Sequence, residues 1–388
     1  MREKRLEKWC SLIRYNAVPL GVLAGVCAFP GFALGGDWSA NFSTMTNVTH
    51  NNNPSLATED VKGRTDFTVN RSVDAEYAKD RYRVGIVGQA NIVASQDEIA
   101  HSIFAADQVR YDLNVDGEYD FDKSVIAAAF GLGFDSVQNT EFQDTGQLTN
   151  DVTRTNSSLN LSYSRQLNEL WGLNISNIYS IASYSGGNFT GYSNNSTQFG
   201  FSNAFSERLS ITPSISYSRY MPDSNALKPS GTIQLQVGGS YELSDVDSLE
   251  GSLGIVRTGD SLATSVQFGY RQEIMDRLTA SATIDRNHTA SGSGNVLQST
   301  SLGGGLSYQL DEMIQLGLDA SLRKSSQVGA SGSAVTTQFQ IDPSIGWTIN
   351  DHWRANLNLQ NRQQKQPTSG TASSNSVIFA LNYNLPLE

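Results

Sequence analysis

The chain has 388 residues, a formal net charge of −11 and only 17% charged residues, so it exceeds one small domain, yet its composition does not shift along its length. An acidic chain of this kind is a poor partner for nucleic acid, and that function class is excluded. Its two cysteines, Cys10 and Cys27, both lie near the start, which leaves the rest without a disulfide or a cysteine metal site.

Taken in order, the first element is a basic segment carrying Arg2, Lys4, Arg5, Lys8 and Arg14, followed by an apolar run from Ala17 to Phe29. Gly31 and Ala33 supply the small residues that a signal peptidase reads, so residues 1–33 are expected to be a secretory signal peptide cut after Ala33. The run is shorter than the ~20 residues of a spanning helix. Val26 before Cys27 is too large for a lipoprotein signal. Removal leaves a formal charge of −14, three units below the whole chain, because five basic and two acidic residues go. Residues 34–388 read as a single domain.

From Gly35 onward nothing has sustained helical periodicity; apolar residues alternate with polar ones, which marks half-apolar strands. The sets begin with Trp38, Ala40, Phe42; Phe67, Val69, Val73, Ala75, Tyr77; and Tyr82, Val84, Ile86, Ala90, Ile92. They continue with Val109, Tyr111, Leu113, Val115, Tyr119; Ile126, Ala128, Phe130, Leu132, Phe134; and Leu159, Leu161, Tyr163. Next come Trp171, Leu173, Ile175, Tyr179, Ile181; Phe199, Phe201, Phe205; and Leu209, Ile211, Ile215, Tyr217. One hairpin pattern recurs to the end, clearest in Ile341–Leu359, where Asn350, Asp351 and His352 form a turn between alternating strands. Short Asn and Asp side chains suit such turns because they tolerate left-handed backbone and hydrogen-bond locally.

Short connections centre on Lys79, Asp122, Asn168, Glu207, Asp245, Asp276, Glu312 and Asp351. They alternate with polar connections at 49–64, 94–106, 137–152, 184–195, 221–231, 258–260, 289–296, 325–334 and 363–375. Eight short and nine mostly longer connections imply about 18 strands, with 16 as the lower bound, and both chain ends on the short-turn side. This is the pattern of a closed, antiparallel, all-β transmembrane barrel with short periplasmic turns and longer external loops. Closure satisfies every backbone donor inside lipid.

Tyr77, Tyr82, Tyr119, Tyr163, Trp171, Phe205, Tyr241, Tyr270, Tyr308, Trp347 and Trp353 all stand near a short turn on the apolar face, where they read as an aromatic girdle at a membrane interface. A soluble sandwich gives no reason for one common level. Pro213, Pro343 and Arg71 fit less well: a proline removes a ladder donor, and the arginine has apolar parity. A bulge, a shifted register or different strand boundaries would account for them.

The opposite face is expected to line a lumen, through Asp66, Asp74, Glu76, Arg83, Arg110, Asp112, Asp116, Glu118, Arg271, Asp319, Arg323, Arg354 and Arg362, with Gln234, Gln236, Gln267, Glu273, Gln338, Gln340, Asn356, Asn358 and Gln360 among them. Acids gather on the second and fourth strands and several arginines on the seventeenth, which closure brings near the first. A transverse field across the pore is one reading, and local pairing on a wet wall is the other.

Catalysis finds no constellation. His50, His101, His288 and His352 lie in or beside connections without ligand spacing, and a site at His101 with Asp97 and Glu98 competes with simple solvation. Gly303, Gly304 and Gly305 fall inside a strand and form no phosphate loop. Glu59, Asp60, Asp97, Glu98, Glu141, Asp144 and Asp151 could hold calcium or bridge through it to lipopolysaccharide, but show no ordered Asp-x-Asp spacing. No enzyme, metal or cofactor is expected.

The Tyr-x-Leu-Asn/Asp-x-Trp/Leu hairpins, Met45-Thr46-Asn47-Val48 and the closing Ser374–Leu385 stretch SNSVIFALNYNL give the chain a resemblance to outer-membrane β-barrel porins associated with exopolysaccharide loci. The resemblance implies residence in a Gram-negative outer membrane, and a channel or export pore possible for exopolysaccharide, with a non-conducting surface barrel as the alternative. Its implied partners are outer-membrane lipid and lipopolysaccharide, the barrel-assembly machinery and polysaccharide-export components. The family's last strand ends on an aromatic residue, whereas here Tyr383 is followed by Asn384, Leu385, Pro386, Leu387 and Glu388.

Overall fold

The computed structural model describes residues 37–59, 61–97, 106–136, 153–185, 189–224, 228–259, 261–290, 296–327, 335–366 and 370–387. The expected signal peptide, His101 and the acids Asp60, Glu98, Glu141, Asp144 and Asp151 lie outside them.

Alternation becomes strand throughout, and no helix occurs among the described residues. In order these are β1 Asp37–Asn51, β2 Arg64–Lys79, β3 Tyr82–Asp97, β4 Ala106–Phe121, β5 Ser124–Ser136 and β6 Thr153–Gln166. Then follow β7 Trp171–Tyr184, β8 Tyr192–Ala204, β9 Leu209–Pro222, β10 Ser230–Glu242, β11 Asp247–Thr258 and β12 Ser261–Met275. The last are β13 Leu278–Ala290, β14 Val296–Gln309, β15 Ile314–Gln327, β16 Thr336–Thr348, β17 Trp353–Gln366 and β18 Gly370–Leu387. Each pairs antiparallel with its sequence neighbours, and β1 pairs with β18 from Ala40↔Leu387 to Asn51↔Ser376, which closes the 18-stranded barrel. The sequence after Tyr383 therefore continues the last strand.

Packing is inverted relative to a water-soluble protein. Large apolar side chains stand outward, with Leu253 at 67% and Leu262 at 72% exposure, while the inward positions are polar or small.

Three of the short turns share one piece of chemistry. Asn168 Oδ1 accepts the N–H groups of Leu170 and Trp171, both at 2.9 Å, and Asn350 Oδ1 does the same for His352 and Trp353 at 2.9 Å. Asp311 Oδ1 holds Met313 and Ile314 at 2.7 and 2.8 Å. A side-chain acceptor thus replaces the missing ladder partner. Left-handed backbone is not the device at Asn350: among the described residues the non-glycine ones with positive φ are Leu56 and Asp80.

The prolines cause no bulge. Around Pro343 the β16–β17 ladder runs from Ile341↔Asn361 to Ser344↔Asn358 without a shift, omitting the two pairs between. Around Pro213 the β8–β9 ladder likewise passes from Gly200↔Ser214 to Asn203↔Ile211 in constant register. Pro213 and Pro343 keep unbroken pairing on their other sides, with Val237 and Leu318. The missing N–H opens one ladder locally, and the neighbouring pairs hold the register. Arg71 also sits in continuous register, between Thr44 and Ala90, and stands exposed on the outward face. Register shifts occur elsewhere, at Glu273/Met275 and Val93/Ala94.

Strands reach farther toward the long loops than alternation indicates. The connection expected at 363–375 shrinks to 367–369, because Gln363–Gln366 and Thr371–Asn375 pair although polar on both faces. Backbone pairing continues where the apolar signal stops.

Candidate functional site

Directly opposed residues share a face, so the ladders sort every strand position into inward or outward sets. Asp66, Asp74 and Glu76 on β2, Arg83 on β3, and Arg110, Asp112, Asp116 and Glu118 on β4 fall on the inward side. So do Arg271 on β12, Asp319 and Arg323 on β15, and Arg354 and Arg362 on β17. Tyr77, Tyr82, Tyr119, Tyr163, Trp171, Tyr241, Tyr270, Tyr308, Trp347 and Trp353 fall on the opposite face near the short turns. Trp38 joins them, with its ring centroid 4.9 Å from Tyr77, which is 5.7 Å from Tyr82; Tyr383 lies 4.8 Å from Trp353. Turn chemistry sets the height of some of these rings, since Trp171 and Trp353 donate their own N–H to the turn asparagines.

Inward charges pair within the wall. Arg83 Nη2 donates to Glu118 Oε2 at 3.2 Å, Arg64 Nε lies 2.9 Å from Asp66 Oδ1, and Arg110 Nη1 lies 3.9 Å from Asp135 Oδ1. Arg271 and Asp319 line one concavity with Ser281, Gly305, Gln315 and Asn356. Several inward polar groups lie flat over glycines of the adjoining strand: an ideal Cβ would meet Asp112 Oδ1 at 2.7 Å on Gly133 and Asp319 Oδ1 at 2.7 Å on Gly305.

The acids and arginines do not face each other across the barrel. β17 is separated from β2 only by β18 and β1, so Arg354 and Arg362 occupy the arc of wall beside Asp66, Asp74 and Glu76. The inward positions of β8 and β9 carry Asn194, Ser196, Gln198, Ser214, Ser216 and Ser218 instead. A charged arc therefore faces a neutral one. On the neutral side Gln234 Nε2 donates to Gln236 Oε1 at 2.7 Å and to Ser265 Oγ at 3.2 Å. Tyr192 and Tyr220, ring centroids 5.1 Å apart, stand inward near the long-loop end.

Asn53 and Leu56 of the first long connection lie against the inner wall. Leu56 packs with Ala372, Asn53 Nδ2 donates to Ser373 O at 2.8 Å, and Ser374 Oγ donates to Asn51 Oδ1 at 2.7 Å. Gln364 and Ser374, 1% and 2% exposed, are sealed on that inward face.

Sequence reasoning omitted Arg64, Asp135, Arg154, Glu250, Asp285 and Asp342, all inward. The parity that marked Phe130, Leu132 and Phe134 as outward already assigned Asp135 to the other face. The histidines are dispersed: His50 Nδ1 meets Thr65 Oγ1 at 2.9 Å, and His352 Nδ1 meets Asn384 O at 3.0 Å in a turn. Among the described residues no group of three His, Cys, Asp or Glu is placed to hold a metal.

No protein-family model and no curated protein matches the chain. Solved structures do match in fold. OccAB3 of Acinetobacter baumannii superposes with a TM-score of 0.51 at 9% identity, over 90% of this chain and 100% of that one. OpdK of Pseudomonas aeruginosa, described as an outer membrane protein, gives 0.52 at 10% identity over 90% and 99%. OpdL of the same organism gives 0.51 at 10% over 91% and 99%. At these identities the likeness establishes the closed 18-stranded architecture.

Proposed function

We propose that the chain is an outer-membrane barrel forming a water-filled, porin-like channel. The observation that carries this reading is the segregation of faces around a closed barrel, apolar and aromatic outside, polar and charged inside. Such a barrel needs lipid on one side and water on the other. The fold shared with OpdK and OccAB3 supports it, and the glycine recesses that keep inward carboxylates against the wall favour an open bore. Among the described residues the inward face carries more carboxylates than arginines, which favours cations.

The packing of Asn53 and Leu56 against the inner wall favours the second reading, a narrowed or non-conducting barrel. Single-channel recording in planar bilayers decides: discrete steps are expected, and a well-inserted barrel that gives none supports the second reading. Heat-modifiable migration and urea-resistant sedimentation with outer membranes check insertion, and recovery as a soluble periplasmic protein would overturn the assignment. Exopolysaccharide as cargo, and polysaccharide-export components as partners, rest on the sequence resemblance alone. Lipopolysaccharide and the barrel-assembly machinery are partners that any outer-membrane barrel would meet.

A further inference from the structure

From β9 onward, every strand running toward the long loops carries one basic residue on its outward face near that end: Arg219, Arg257, Arg286, Lys324 and Lys365. Three of them fall on a single ladder line. Arg286 pairs with Thr300, Thr300 with Lys324, Lys324 with Thr337, Thr337 with Lys365, and Lys365 with Thr371. Cation and threonine hydroxyl thus alternate across adjacent strands, with cations roughly 10 Å apart at two strand spacings.

The row is one-signed. On β9 to β18, the acidic residue found on the outward face is Asp247, beside a short turn at the far end of the barrel. Arg219, Arg257, Lys324 and Lys365 are exposed, and among the described residues none of the five joins an ion pair. Several inward arginines, by contrast, lie beside carboxylates, Arg64 by Asp66, Arg83 by Glu118 and Arg110 by Asp135. Immediately below the row on the same face come Tyr217, Ile255, Ile284 and Leu322, so from β9 to β15 it borders the apolar band, while on β17 the polar Asn361 and Gln363 stand between Lys365 and Leu359. A line of cations at the edge of the hydrocarbon recruits anionic headgroups, and neighbouring hydroxyls add hydrogen bonds to phosphate oxygens.

We infer that the outward rim from β9 to β18 binds the phosphorylated headgroups of the outer-leaflet glycolipid, the lipid A portion of lipopolysaccharide. The inference rests on the outer-membrane reading, which sets the long loops outside. Cations spaced about 10 Å apart are too far for one phosphate and suit a row of headgroups, or the two phosphates of one glycolipid.

The test uses the mature barrel in neutral detergent, with bis-phosphorylated lipid A and its dephosphorylated form as probes, and bound lipid counted by native mass spectrometry. Wild type should prefer the phosphorylated form, the preference should fall as salt rises, and the triple substitution R286Q/K324Q/K365Q should reduce it roughly tenfold. The inward pair R323Q/R362Q should leave it unchanged. Equal binding of both lipids by wild type, a salt-independent preference, or an undiminished preference in a heat-modifiable triple variant would overturn the inference. If the triple variant does not fold, the single reversal K324E carries the same expectation of a weakened preference. The assay needs no conduction, so a conducting barrel without the preference sinks only this inference, and a non-conducting barrel that has it sinks only the channel.

Discussion

The carboxylate of Asp116 on β4 lies over Gly85 of β3, so close that a Cβ on Gly85 would sit 2.6 Å from Oδ1. The two residues are directly paired in the β3–β4 ladder, and the glycine is the recess that lets the acid lie along the wall. Gly85→Ala should therefore cost about 1 kcal/mol by overpacking, whereas in an Asp116→Ala background the same change should cost almost nothing. Urea unfolding of the four proteins in a double-mutant cycle measures the coupling, and additive costs would show that the recess is not used.

Ion preference follows from the charged arc. Neutralising Asp112, Asp116 and Glu118 together should lower cation preference, and neutralising Arg354 and Arg362 should raise it. With a Debye length of ~8 Å at physiological salt, these charges act only where the bore is narrow, so preference should fade as salt rises. Reversal potentials across a salt gradient report both changes. An anion-selective wild type, or a triple variant with unchanged reversal potential, would mean that these side chains do not line the ion path.

Period-two patterning was enough to read strand number and the eight short turns, because a strand with lipid on one face and water on the other must alternate. It was enough to place Asp116 inward, but not to reveal Gly85 beneath it, since that contact crosses strands. Loop bounds were overdrawn wherever both faces turn polar, as at Gln363–Gln366. The inward fold of Leu56 onto Ala372 left no sequence signal at all.

Pro343 gives a prediction about the backbone. Its ring leaves the β16–β17 ladder open while β15–β16 stays paired through Leu318↔Pro343. Pro343→Ala restores a donor at a position already held in strand geometry, and should stabilise the barrel by about 1 kcal/mol. Chemical denaturation should show a higher midpoint, together with slower amide exchange at residue 359. A destabilised variant would mean that the open pairs serve the fold in another way.

Arg71 tests whether the apolar band is immersed in hydrocarbon. It stands exposed on the outward face of β2, between Val69 and Val73 and midway between Phe67 near the loops and the girdle residue Tyr77. Its ladder partners Thr44 and Ala90 offer no counter-charge. At the midplane of a bilayer an outward arginine on a barrel costs ~2–4 kcal/mol, and near an interface ~0–1. Arg71→Leu should therefore stabilise the barrel by an amount in the upper range, reduced to the extent that the long side chain reaches toward an interface in the wild type. Arg219→Leu, at the loop-side rim, should change stability by ~1 kcal/mol or less. Reversible unfolding from vesicles compares the two directly. Equal effects at both sites would place the middle of β2 outside the hydrocarbon and shift the whole barrel relative to the membrane, whereas a large gain at Arg71 alone fixes the immersed band between Phe67 and Tyr77.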